Sequence, residues 1–171
     1  MTAQVDQTLW LMICTVLLAL AVPGVALFYG GMVRKKNIMN TIALPFAALA
    51  LVSLAWSLVA NGWIAWNGEE QTSYHDSLLS IYRGMMASVA LALVAGGIVE
   101  RIRFSFFLVF GLCWIAGVFV PLAQALWGGG WLANLGSLDF AGGAVIHISA
   151  GVSALVMAIL IGPRHGYGRI D

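Results

Sequence analysis

The sequence predicts an all-α polytopic membrane protein of five transmembrane helices, and three observations carry that prediction. Hydrophobic residues make up 61% of the 171 and charged residues 9%, against about 45–50% and about 25% in soluble domains. Mean hydropathy is +0.95, far too apolar for a water-covered surface. The eight Lys/Arg and seven Asp/Glu fall in short clusters, leaving uncharged stretches at 7–33, 37–68, 84–99, 104–138 and 140–163. A helix crossing hydrocarbon needs about 17–25 apolar residues, and four of these stretches suffice alone. The third reaches that length by taking in 78–82, with Arg83 snorkelling to the interface.

The expected helices are 9–31, 40–61, 79–99, 104–126 and 139–161. The leading MTAQVDQT has no Lys or Arg, so it lacks the basic region of a secretory signal and the first helix should be retained. Pro23 and Pro45 fall inside the first two helices, where each removes a backbone donor and should bend its helix. Gly30, Gly31, Gly96, Gly97, Gly142, Gly143 and Gly151 suit close helix contacts, because lipid gives helices no hydrophobic drive to associate. Trp10, Trp63, Trp66, Trp127 and Trp131 lie near one set of ends, as an interfacial belt does. The whole chain, 1–171, reads as one membrane domain without tandem repeat or soluble linker.

Orientation follows from the positive-inside rule. Arg34, Lys35, Lys36, Arg101, Arg103, Arg164 and Arg169 fall on one side and only Arg83 on the other, which predicts a plasma-membrane protein with its N-terminus outside and its C-terminus cytoplasmic. Glu69, Glu70, His75 and Asp76 then form an outer loop, read as solvated surface. With a net charge of +1, no basic patch exists to hold nucleic acid. Cys14 and Cys113 lie in apolar runs and read as buried thiols, so neither a disulfide nor a metal site is indicated. There is no nucleophile–base set and no phosphate-cradling loop, which argues against an enzyme, and nothing calls for a cofactor.

Ionisable groups within a span are costly and mark candidate sites. Two qualify, Asp139 and His147. On a continuous helix, eight residues separate them by about 80° and ~12 Å. Asp139 can cap the fifth helix, hold a cation at a vestibule, or do both. His147 can be a satisfied polar contact between helices or a pore-lining relay; no second ligand follows it to make a metal site.

At the fifth helix, DFAGGAVIHISAGVSALVMAILIGPR (139–164) closely resembles the signature of the ammonium transporter (Amt) family. PGVALFYGGMVRKKN (23–37), ERIRFS (100–105) and WGGGWL (127–132) resemble further family blocks in the same order. The resemblance implies an eleven-helix fold of two inverted five-helix halves, usually trimeric, of which this chain is the N-terminal half. It implies that Asp139 organises an outer cation site and that Trp127 offers its π face to ammonium. His147 is similar to the first of two pore histidines that relay a proton while ammonia crosses a hydrophobic channel. Met86 falls where the family commonly has a gating phenylalanine; a register one turn earlier gives Tyr82 that role. Arg83 stands beside it where an uncharged residue is usual.

The resemblance stops after helix five, so the second histidine and the other half of the wall are missing. An antiparallel homodimer needs dual topology, which the seven-to-one charge bias opposes. The expected function is therefore ammonium/ammonia transport by a truncated or split product working in the bilayer with a complementary half. The alternative is a non-transporting ammonium-sensing or assembly module, which Met86 and Arg83 favour. A Rhesus-type gas channel fits less well, given Trp127.

Overall fold

Each uncharged stretch becomes a helix in the computed structural model, which describes residues 2–67, 74–164 and 167. The spanning helices are α1 (Thr2–Gly31), α2 (Ile38–Asn67), α3 (Tyr74–Ile98), α4 (104–127) and α5 (Gly143–Ile161). All five are long and apolar enough to cross a membrane, so the chain is an all-α multi-pass membrane protein. A single helical turn, Trp131–Asn134, interrupts the connection between α4 and α5.

The ends depart from the sequence expectation for simple reasons. Hydropathy marks only the part of a helix that must cross hydrocarbon, whereas polar residues meet no such burial cost at its wet end, where the helix can run on. Hence α1 starts at Thr2 and α2 runs on to Asn67. By the same extension, His75 and Asp76 belong to the first turn of α3 rather than to a loop. Asp76 there complements the positive end of the helix dipole, and His75 Nδ1 lies 3.3 Å from Thr8 Oγ1 on α1. Glu69, Glu70 and Arg169, and the side chains of Trp63 and Trp66, lie outside the described residues.

Helix α4 is not uniform. Residues Phe104–Trp114 and Val120–Trp127 are α-helical, and Ile115–Phe119 between them is wound as a π-helix. Pro121, just beyond the wide turn, has no N–H and crowds the carbonyl four residues back. A π-turn absorbs that mismatch without breaking the helix.

The centre of the bundle is α3, which packs against α1, α2 and α5. Its run Met86–Ala95 is largely Ala, Ser and Val, and most of it is buried. Such small side chains let neighbouring backbones come close. One such approach is to the backbone of α5: a Cβ on Gly97 would lie 2.6 Å from Ala154 Cβ and 3.1 Å from its Cα. Gly31 and Gly151, expected to do the same, face open space. Polar pins add to the packing, with Trp56 Nε1 donating to Ser80 Oγ (3.3 Å) and Trp114 Nε1 to Ser153 Oγ (2.7 Å). The cysteines depart from expectation, since Cys14 is half-buried and Cys113 exposed. In a membrane bundle an outward face is apolar too, so burial does not follow from an apolar run.

At the end where α3 turns into α4, Glu100 fastens three parts of the chain. Its side chain is 0% exposed. Its Oε1 accepts from Arg34 N (3.2 Å), Arg34 Nε (3.3 Å) and Asn37 Nδ2 (2.6 Å), and its Oε2 from Arg164 Nη1 (2.9 Å). Burial works to raise its pKa, but the bonds from Asn37, Arg34 and Arg164 together outweigh it and hold the carboxyl down to about 2. Glu100 also adopts φ +61°, the one positive φ on a non-glycine among the described residues. That left-handed conformation is costly for a residue with a Cβ and is held by these four bonds. Arg101 beside it donates to the carbonyls of Gly162 (3.2 Å) and Ala158 (3.5 Å), closing the last turn of α5.

Candidate functional site

The opposite end of the bundle carries the ionisable residue singled out in the sequence as a cap. Helix α4 ends at Trp127, and the chain passes through Gly128–Gly130 and the Trp131–Asn134 turn before reaching Asp139. Asp139 precedes α5 by four residues instead of beginning it, because Gly142 takes φ +81° and breaks the helix there. Gly142 is required for a second reason, since a Cβ would run into the Ile146 side chain. The angular relation expected between Asp139 and His147 on one continuous helix therefore does not apply.

From outside the helix, Asp139 reaches back over its first turn. Oδ1 accepts from Gly143 N (2.8 Å), and Oδ2 from Ala144 N (3.1 Å) and Val145 N (2.9 Å). Three of the four donors that a helix leaves unpaired are thus satisfied by one carboxylate placed at the positive dipole end. Its main-chain carbonyl is occupied as well, accepting from Trp127 Nε1 at 3.0 Å. Trp127 and Asp139 are therefore one unit: the indole fixes the loop, and the loop fixes the cap.

Trp127 is half-buried and belongs to an aromatic group more than to an interfacial belt, in contrast to the exposed Trp10 and Trp131. Its ring meets Phe119 edge-on, with centroids 6.4 Å apart. Phe119, 0% exposed, also contacts Trp56 edge-on and Trp114 in a tilted arrangement, both at 6.2 Å. Edge-to-face pairs add about 0.5–1.5 kcal/mol beyond area burial. Phe119 closes the π-segment of α4, so that local widening places the hub of the group.

The first residues of α5, Gly143–Ile148, are π-helical too. The carbonyl of Gly142 accepts both Ile146 N (2.9 Å) and His147 N (3.1 Å), the second being the five-residue spacing of a π-turn. His147 points away from the other four helices and is exposed, as are Ile148, Gly151, Val152 and Leu155. It is therefore not a satisfied contact inside this bundle. Behind it Val145, Ile146, Ser149 and Ala150 face the core. Gly151, one turn on, leaves room beside His147, with no side chain of the described residues within 4 Å of where its Cβ would be.

Of the four residues singled out in the sequence, the structure joins Trp127 to Asp139, places His147 on the open face of α5, and buries Met86 in the core at 5% exposure. Met86 and Trp127 touch the same apolar cluster, with Tyr82 and Trp56 at its margin. Arg83 is half-buried and engaged. Sequence reasoning missed Phe119, Glu100 and Ser153. Glu100 had a readable signal, being an isolated carboxylate among clustered Arg and Lys.

The profile of the Ammonium Transporter Family matches residues 9–171. The chain is 39% identical over 181 residues to an ammonium transporter of Bacillus subtilis (strain 168), covering 94% of this chain and 45% of that protein. It is 41% identical over 172 residues to ammonium transporter Amt1 of Archaeoglobus fulgidus, covering 92% and 44%. With a putative ammonium transporter of Methanothermobacter thermautotrophicus it shares 40% over 181 residues, covering 93% and 44%. The chain thus spans about half the length of the curated relatives it matches. On the match over residues 9–171, together with four blocks in family order, this chain belongs to the Ammonium Transporter Family.

Proposed function

We propose that this chain supplies one wall of a pore for ammonium and ammonia, completed by a complementary half of similar size. The observation that carries the reading is the exposure of His147, with Gly151 beside it, on the face of α5 that the other helices leave uncovered. A polar ring on a membrane helix is costly against lipid and useful against a channel. At the mouth, Asp139 sets a negative potential and Trp127 supplies a π face for the cation. Deprotonation there sends ammonia along the apolar wall, and His147 accepts and returns protons through one ring nitrogen. The assembled protein is read as an oligomer, a trimer by family, with the N-terminus outside and the basic end in the cytoplasm.

The test is uptake of labelled methylammonium by cells lacking their own transporter, expressing this chain with a complementary half. Uptake should need both halves and should change its pH dependence in His147→Phe. Uptake that is absent in the pair, alongside retained ammonium binding, would favour the second reading, a non-transporting sensing or assembly module. One observation supports that alternative: Met86, at the position of a gating aromatic, is packed into the core beside the engaged Arg83.

A further inference from the structure

Between its two ends, α5 makes one side-chain hydrogen bond to another spanning helix among the described residues, and Trp114 donates it. The indole Nε1 lies 2.7 Å from Ser153 Oγ. Trp114 is 4% exposed, and opening the bond would leave a buried indole N–H without a partner, at the full desolvation cost of that group. The same ring touches the aromatic group at the mouth. Trp114 and Phe119 have centroids 6.2 Å apart, and Phe119 meets Trp127 at 6.4 Å.

The winding of α4 makes that double contact possible. On an α-helix, residues five apart point about 140° away from each other. The π-segment Ile115–Phe119 closes on the fifth residue instead, with Val120 N bonded to the Ile115 carbonyl, and so brings Trp114 and Phe119 to one side of α4. One indole therefore leans on the hub that holds Trp127 and bonds the helix that carries His147.

The bond sits where α5 needs a rotational stop. His147 lies in the wide segment Gly143–Ile148, and Ser153 follows six residues later in the α-helical part. The Gly97–Ala154 contact sets how close α5 lies to α3, but van der Waals contact between small groups has little preference for direction. A hydrogen bond has one, since it weakens steeply as its angle opens. With Ser153 held towards α4, His147 is held on the uncovered side of α5. We infer that Trp114 is a positioning residue: through Ser153 it fixes the rotation of α5, and through Phe119 the seat of Trp127, so that His147 and the mouth keep one relation. Its consequence for transport rests on the pore reading; the orientation of α5 does not.

The test reads the two separately. With Cys14 and Cys113 replaced by serine, nitroxides are attached at the exposed Leu20 of α1 and at the exposed Ile148 beside His147. Their separation is measured by pulsed electron double resonance in the reconstituted full chain. Trp114→Phe keeps a ring against Phe119 but loses the N–H, Ser153→Ala loses the acceptor, and Ser153→Thr keeps a hydroxyl. The first two should each broaden the distance distribution, and both together no more than either alone, because they remove the same bond. Ser153→Thr should stay as narrow as the parent. In cells that also express a complementary half, uptake of labelled methylammonium should fall about three- to tenfold in Ser153→Ala, the scale of one neutral hydrogen bond. It should recover in Ser153→Thr and fall no further when Ser153→Ala is added to His147→Phe. Distributions unchanged by Trp114→Phe and Ser153→Ala overturn the inference. Broadening with unaltered uptake, or with the same added loss in the His147→Phe background, overturns the positioning role and leaves a packing contact. Absence of uptake in the parent pair defeats the pore reading instead, and the label distances still decide whether Trp114 holds α5 in one orientation.

Discussion

Asp139 shows how one side chain can serve folding and chemistry at once, and the two are separable by substitution. Its carboxylate satisfies three amide donors of α5, and its main-chain carbonyl holds the half-buried Trp127. An Asn side chain has one acceptor oxygen where both Asp139 oxygens are engaged, so it keeps only part of this cap, whereas loss of the whole cap in Ala costs about 0.5–2 kcal/mol. Asp139→Asn should therefore lower thermal stability in detergent less than Asp139→Ala does, while removing the charge and weakening ammonium binding to the assembled protein. Asp139→Ala should lower both. An Asn variant that binds ammonium normally would make the residue a cap alone. Glu100, at the other end, makes a prediction in pH. Its folded pKa of about 2 lies below the ordinary 4.5, so the folded state favours the ionised form. The stability this contributes is fully present above about 4.5 and is lost as pH falls towards about 2. Glu100→Gln should be less stable at neutral pH and should show a flatter decline across that acid window in thermal unfolding. A decline as steep as the parent's would assign acid sensitivity to another group.

At the scale of elements, the spans were legible in the sequence because the cost of burying charge in hydrocarbon is large and local. Charge spacing located four of the five helices outright, and the third once it was extended past Arg83. Their ends were not legible, since residues such as Gln4, Asp6 and Asn67 are equally at home in helix or loop once outside the hydrocarbon. The π-segments were hidden for a different reason. Hydropathy sums over a window and is blind to one extra residue per turn, yet that residue aims Phe119 and His147. Trp127 was recognisable as a site residue, but its bond to the Asp139 carbonyl depends on a loop path that spacing does not encode. The Gly97 contact belongs to this scale as well. Because a Cβ there meets the Ala154 backbone, Gly97→Val should force α3 and α5 apart and lower the unfolding temperature. Gly151→Val, facing open space in this chain, should leave it unchanged. Equal losses at both positions would show that side-chain volume, not the α3–α5 approach, is what matters.

On the whole molecule, the distribution of polar ties is uneven in an informative way. The fifth helix is held at one end by Asp139, midway by Trp114 and Ser153, and at the other end by Arg101 and the Glu100–Arg164 pair. One flank of it packs on α3, and the other presents His147, Gly151 and Leu155 outward. The pins hold α5 in one register, and its uncovered flank at Gly151 faces open space. That arrangement yields a test of both topology and assembly in one protein. With Cys14 and Cys113 replaced by serine, a nitroxide attached in denaturing detergent to a cysteine introduced at Gly151 should be mobile in the reconstituted chain alone. A complementary half should immobilise it, while the same label at the exposed Leu20 of α1 stays mobile. In cells, reporters fused after residues 36 and 103 should read cytoplasmic and one after residue 72 external. Mixed orientations would reopen pairing between antiparallel copies, and the Gly151 label would then be immobilised without any second half.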